Sequence, residues 1–169
     1  MGKTLTVSKT GTLAFDAVDH PNIDIRTREV VTGGETVVPN GEFSITTSKV
    51  LERACGSFVE HLTLKEGLVE QSWTLTEKPK SAGNITVKVA MSPSARLARV
   101  SGGVALGSFG TYGAATWIGA DGTRTIVPMT VAGQEIAITV PSSLVEQTAF
   151  PAILDPTITP ATGDDGHPV

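Results

Sequence analysis

Leu68-Val69-Glu70-Gln71-Ser72-Trp73-Thr74-Leu75-Thr76 and Ile85-Thr86-Val87-Lys88-Val89-Ala90-Met91 decide the fold, with the polar loop Lys78-Pro79-Lys80-Ser81-Ala82-Gly83 between them. Both stretches alternate with the side-chain period of a β-strand. Ile85, Val87, Val89 and Met91 share one face, which the pattern places against the core. In the first stretch Val69, Gln71, Trp73 and Leu75 share a face, and Gln71 interrupts its apolar run.

The same punctuation extends in both directions. Thr4-Leu5-Thr6-Val7, Leu13 to Val18 and Ile23 to Arg26 read as strands, with a turn at Asp19-His20-Pro21-Asn22. Thr36-Val37-Val38 is followed by Pro39-Asn40-Gly41, and Asn-Gly favours a tight hairpin into a returning strand Phe43-Ser44-Ile45-Thr46. Phe58 to Leu64 is a further strand, and Leu97-Val100 with Val104-Leu106 forms a small hairpin around Ser101-Gly102-Gly103. Ala115 to Ile118 turns through Ala120-Asp121-Gly122 into Thr125 to Met129, and Ala132-Gly133-Gln134 leads into Glu135 to Val140.

After Pro141 a short helix is expected near 142–148, with Ser143 and Glu146 at capping-box spacing. Phe150 to Pro156 reads as a last edge strand ended by proline. The expectation is therefore all-β: an antiparallel β-sandwich of about ten to twelve short strands with at most that one helix. The sandwich domain spans 1–158, and 159–169 reads as a linker or tail.

Composition agrees. Charged residues are 18% of the chain, hydrophobic residues 40%, and the 18 Gly and 10 Pro fall at intervals suited to short strands. The net charge of -4 and the single scattering of 13 Lys and Arg argue against a nucleic-acid partner. No apolar run is long enough for a membrane helix, and the N-terminus Met1-Gly2-Lys3-Thr4-Leu5 lacks the apolar stretch of a signal peptide. Cys55 is the only cysteine, so no internal disulfide can form.

Each constellation with chemical potential has a plainer reading beside it. Cys55-Gly56-Ser57-Phe58 resembles a fragment of a thiol-protease motif, yet needs a histidine close in space, and His20, His61 and His167 are the only ones. The plainer reading is a buried thiol at a strand start. Gly107-Ser108-Phe109-Gly110 lacks the spacing of a hydrolase elbow. Glu60, Glu66 and Glu70 would have to share a groove to act as a carboxylate pair, whereas Glu60 and Glu70 are expected to face water.

Asp16, Asp19 and Asp24, with His20, could bring oxygens around a Ca²⁺ ion if 16–24 forms a loop, although the spacing is not that of an EF-hand. A solvated acidic turn is the simpler account. Asp164, Asp165 and His167 lie in the tail, where no rigid geometry is expected. Asn84-Ile85-Thr86 fits a glycosylation sequon, and Trp73 and Trp117 read as core anchors. No catalytic residue or cofactor is assigned.

Residues 57–158 carry a resemblance. Gly67-Leu68-Val69-Glu70-Gln71-Ser72-Trp73-Thr74-Leu75, then Ala82-Gly83-Asn84-Ile85-Thr86-Val87-Lys88-Val89, resemble a β-sandwich module of large exported multidomain proteins of myxobacteria and their relatives. That module continues with a Tyr-Gly and Asp-x-x-Gly-Arg hairpin and closes on Tyr-Pro-x-x-x-Asp-Pro. Tyr112-Gly113, Asp121-Gly122-Thr123-Arg124 and Phe150-Pro151-Ala152-Ile153-Leu154-Asp155-Pro156 stand in those places here. The departures are the extra Val69, Ser72 for Gly and Phe150 for Tyr.

The resemblance implies a non-catalytic structural or adhesin-like role, outside the cell or at its surface, with neighbouring domains or surface molecules as partners. Two alternatives follow from the residues themselves. One is a carbohydrate- or Ca²⁺-binding sandwich. The other is a self-assembling homo-oligomer of the fibre or shell kind, in which Thr4 to Val7 adds to a neighbour's sheet.

Overall fold

The computed structural model describes residues 3–7, 12–17, 20–39, 41–47, 50–65, 68–92, 96–107 and 110–160. In chain order they form β1 (Lys3–Val7), β2 (Leu13–Ala17), β3 (His20–Thr32), β4 (Glu35–Val37), β5 (Ser44–Thr47) and β6 (Val50–Cys55). Next come β7 (Phe58–Lys65), β8 (Leu68–Leu75), β9 (Ile85–Met91), β10 (Leu97–Val100), β11 (Gly103–Leu106) and β12 (Gly110–Gly113). The last elements are β13 (Ala115–Ile118), β14 (Arg124–Val127), β15 (Met129–Ala132), β16 (Glu135–Val140), α1 (Ser142–Gln147), β17 (Ala152–Asp155) and β18 (Thr157–Pro160).

These strands make the expected antiparallel sandwich, with more strands than the sequence suggests. One sheet runs β1-β2-β3-β9-β16-β15, with β4 beside β3. The other centres on β8. One edge of β8 carries β7, then β6 and β5; its other edge carries β17 and β18 in succession. From there the sheet divides at Asp155–Pro156. β17 continues sideways into β13 and β14, and β18 into β12, β11 and β10.

The core lies between the two sheets. Ile85, Val87, Val89 and Met91 of β9 and Ile136, Ile138 and Val140 of β16 are buried, as alternation requires when one face of a sheet is covered. Opposite them are Phe58, Leu62, Trp73, Leu75, Trp117 and Leu154. Burying one such aliphatic or aromatic side chain contributes about 1.5–3 kcal/mol.

The long strand β3 shows how one residue resets a pattern. Ile25 and Thr27 face the core, and so do Val30 and Thr32. Between them the register against β9 slips by one residue, with Thr27 opposite Val89 and Glu29 opposite Lys88. Arg28 is the extra residue of this bulge, and it flips the inward phase from odd to even positions. It also turns Arg28 and Glu29 outward together. Arg28 makes a two-point pair with Glu135 on β16 and reaches Glu29 at 3.2 Å, while Lys88 meets the other oxygen of Glu29 at 3.2 Å. The hydrogen bonds from Arg28 hold the Glu135 carboxyl below the usual carboxylate range.

Several expected boundaries move. His20-Pro21-Asn22 belongs to β3 rather than to a turn. β4 and β5 are not the two arms of a hairpin: β4 pairs with β3 in one sheet and β5 pairs with β6 in the other, so the chain changes layers between them; Asn40 lies outside the described residues. Thr125 to Met129 divides at Pro128, whose missing N–H suits a corner where β14 passes into β15 of the opposite sheet. Pro128 still offers its carbonyl to the Thr139 N–H at 3.1 Å.

Phe150 to Pro156 is not an edge strand. β17 lies between β8 and β13, and pairing resumes after Pro156 to run to Pro160, past the expected start of the tail. The helix forms where expected but is not closed by a capping box, because Ser143 falls inside it and Glu146 pairs with Lys78 at 2.8 Å. Its first N–H, that of Ser142, is satisfied by Asn84 Oδ1 at 2.9 Å, from the residue just before β9.

Two outcomes follow from this packing. Ile138→Ala removes a fully buried side chain and lowers unfolding stability by about 2–5 kcal/mol in urea titration. Ile45→Ala, at an exposed position of β5, changes it by no more than about 0.5 kcal/mol. Glu135→Gln gives a pH signature. Because the folded pKa of Glu135 is depressed, its contribution is complete above the unfolded value of about 4.3 and disappears as pH falls through the folded one. The gap in Tm between the native chain and Glu135→Gln is therefore widest near neutrality and closes in acid, and added salt narrows it throughout.

Candidate functional site

The acidic residues read as calcium ligands lie on strands. Asp16 sits in β2 opposite Thr4, and Asp24 sits in β3 opposite Ala14, so this segment is a hairpin rather than an open loop. Asp19 lies outside the described residues. Asp24 is exposed, and its main chain is tied to Ser92: its N–H donates to Ser92 Oγ at 3.1 Å, and its carbonyl accepts from the Ser92 N–H at 3.0 Å. Arg26 lines the same shallow depression, and a guanidinium there opposes a bound cation. Among the described residues no three of His, Cys, Asp and Glu gather as a metal cage would require.

Cys55 ends β6, and Gly56-Ser57 turns the chain into β7. The thiol is buried, donates weakly to the Arg53 carbonyl at 3.8 Å, and has its pKa raised chiefly by desolvation. It is therefore protonated and a poor nucleophile at neutral pH. His61 is on the opposite face of the same hairpin, 3.6 Å from Glu52 across the ladder. The sheet separates thiol from imidazole. Ser108 and Glu66 lie outside the described residues.

Glu60 corrects its expected position. It is fully buried, facing inward beside Trp73, whereas Glu70 is half-buried on the outer face. The two carboxylates are on opposite sides of one sheet and form no catalytic pair. Asn84, the sequon residue, has its side-chain carbonyl engaged by the Ser142 N–H at the start of α1. Trp73 and Trp117 are core anchors, and each indole N–H is satisfied, by Thr27 Oγ1 at 3.1 Å and by Thr148 Oγ1 at 2.7 Å.

What the fold does bring together is a polar cluster inside the core. Glu60 Oε1 accepts from Arg53 Nη2 at 2.6 Å, and Glu60 Oε2 accepts from Thr27 Oγ1 at 2.8 Å and Gln71 Nε2 at 3.1 Å. Tyr112 donates its hydroxyl to Gln71 Oε1 at 3.0 Å. Arg53 Nη1 donates to the Gly41 carbonyl at 3.2 Å, and the guanidinium lies 4.6 Å from the centre of the Phe43 ring. Five elements, β3, β6, β7, β8 and β12, are joined in this way. Burial, with the nearby charge of Glu60, pushes the Tyr112 pKa well up, so the phenol stays a donor.

An ionised carboxylate in an apolar layer is costly unless its oxygens are paired and hydrogen-bonded, and here both are. Thr27 is the member from the opposite sheet. Its hydroxyl donates to Glu60 and accepts from Trp73, so one side chain fastens the two layers. Sequence reasoning noticed only Gln71, as a fault in an apolar face. That fault was the readable signal, since a polar side chain at a core position needs a buried partner. Glu60 gives none, because it is expected to face water, and Arg53 gives none, because no strand is expected over 50–55.

No protein-family model matches the chain, and neither a curated protein nor a solved structure matches it. Among the described residues no helix is long and apolar enough to cross a membrane.

Removing one partner of the buried pair should be far worse than replacing both. Glu60→Ala strands the Arg53 charge and costs about 3–5 kcal/mol in chemical denaturation, whereas Arg53→Met with Glu60→Leu costs clearly less than Glu60→Ala alone. Equal losses would mean that the cluster is held by packing rather than by charge.

Proposed function

We propose that this chain is a non-catalytic structural, adhesin-like module of a secreted or cell-surface protein. One observation carries the reading: the motifs that resemble the exported-protein module meet in the fold through packing and pairing roles. Gln71, from the first motif, accepts the hydroxyl of Tyr112, from the Tyr-Gly motif. Asp155-Pro156, from the closing motif, is where the second sheet changes partners. Asp121-Gly122 makes the turn between β13 and β14, with Asp121 accepting from the Thr123 N–H at 3.0 Å.

Gly103, across from Gly113, shows the same constraint in the backbone. Its φ is +146°, and a Cβ there would lie 2.2 Å from the Tyr112 carbonyl oxygen. The motif residues thus support a scaffold. The polar cluster of Arg53, Glu60, Gln71 and Tyr112 joins β-strands inside the core instead of lining a cleft, which suits a stable spacer.

The test is the native context of the sequence. An antibody raised against the chain should detect, in the secreted or cell-surface fraction, a polypeptide much longer than these 169 residues. A free cytosolic species of this length would overturn the surface reading. Turnover of a substrate that depends on Cys55 or Glu70 would overturn the non-catalytic one.

A further inference from the structure

Thr27 on β3 and Gln71 on β8 come from opposite sheets and meet in the core, with the hydroxyl oxygen 3.4 Å from the amide nitrogen. Both touch one atom: Glu60 Oε2 accepts from the Thr27 hydroxyl at 2.8 Å and from Gln71 Nε2 at 3.1 Å. Thr27 is 4% exposed, and Glu60 and Gln71 are 0% exposed, so bulk water does not compete for these groups.

The surrounding donors fix the direction of each group. Trp73 Nε1 donates to Thr27 Oγ1 at 3.1 Å, so the proton of the threonine itself is the one aimed at Glu60. An ionised carboxylate only accepts, so Gln71 presents its NH₂ to Glu60 and its carbonyl to Tyr112. The Tyr112 O–H donates to that carbonyl oxygen at 3.0 Å, and its raised pKa keeps the proton in place. Arg53 occupies the other oxygen of Glu60 at 2.6 Å.

These are the parts of an acyl transfer. They are a hydroxyl nucleophile, a carboxylate at its proton, a leaving nitrogen beside the same carboxylate, and a donor on the carbonyl oxygen. We propose that Thr27 and Gln71 join in an ester cross-link between the two sheets, with release of ammonia. Glu60 Oε2 takes the proton of Thr27 as Oγ1 bonds to Cδ of Gln71. The carbonyl electron pair moves onto Oε1, where the Tyr112 O–H stabilises it. As that pair returns, the Cδ–Nε2 bond breaks, and Glu60 passes its proton to the departing nitrogen.

Glu60 ends as it began, and no oxidant or co-reactant is consumed. Reacting groups held together in this way behave as if at effective concentrations of up to about 10⁵–10⁸ M. The ammonia is diluted and protonated in solvent, which draws the reaction forward, and the dry core shields the ester from hydrolysis. The step occurs once in each chain and turns over no external substrate. It is a property of the isolated chain, so its test is separate from that of where the chain is displayed.

The experiment is intact-mass spectrometry of the purified full chain after incubation at neutral pH. The expected mass is about 17 Da below that of the sequence, the mass of one ammonia. Tandem spectra should place the loss on a joined pair of peptides containing Thr27 and Gln71. Mild alkali on the unfolded chain should part them and turn the Gln71 side chain into a carboxylate. Thr27→Val should keep the full mass and Thr27→Ser should still lose ammonia. Tyr112→Phe, which retains the ring and removes the donor, should slow the loss by about 100-fold. A folded native chain that stays at full mass would overturn the proposal, the cluster then being held by hydrogen bonds alone. So would a loss located on the Asn40-Gly41 peptide, where a succinimide also releases ammonia, or one that persists in Thr27→Val.

Discussion

The hydrogen bond from Thr27 to the buried carboxylate of Glu60 joins the two layers of this sandwich at a defined point. Apolar contacts between sheets are non-directional and tolerate sliding, so area alone does not select one relative position. A carboxylate with three donors does. Arg53, Thr27 and Gln71 each approach from a different strand, and all three are satisfied only when those strands are in register. Through Arg53 the same group reaches the Gly41 carbonyl and Phe43, and so anchors the segment that carries the chain from one sheet to the other.

Around that point the chain uses its irregularities as joints. The Arg28 bulge lets β3 face the core with Thr27 and again with Val30, and places an ion group on the outside. Pro128 turns one extended run into strands of two sheets. Asp155-Pro156 divides a sheet into two wings, one ending in β14 and the other in β10.

Much of the fold was legible in the sequence where a strand is buried on one face and wet on the other. β9 and β16 alternate without a break, and their inward residues could be named from the pattern alone. Legibility failed where periodicity and burial part company. A bulge shifts the phase by one residue and leaves no mark in composition. The Asn40-Gly41 dipeptide speaks for a tight turn but says nothing about whether the next strand returns to the same sheet. β6 went unrecognised because its inward face is Leu51, Arg53 and Cys55, and an arginine among core residues reads as solvent-facing until its partner is known. The buried cluster was visible only at Gln71, since the other members come from strands far apart in the chain.

The place of β17 and β18 bears on the order in which the molecule can be made. They are the last strands described, yet they occupy the interior of the larger sheet, against one whole edge of β8. While a ribosome is still short of Ala152, β8 has a partner on one side only, and β12 and β13 lack the strands that link them to it. The wings therefore cannot be fastened to the centre in step with synthesis. Contacts of long sequence separation close last and together, as in other folds dominated by non-local pairing. This makes the sandwich an all-or-none unit, whose sheet edges stay open until residues 152–160 arrive.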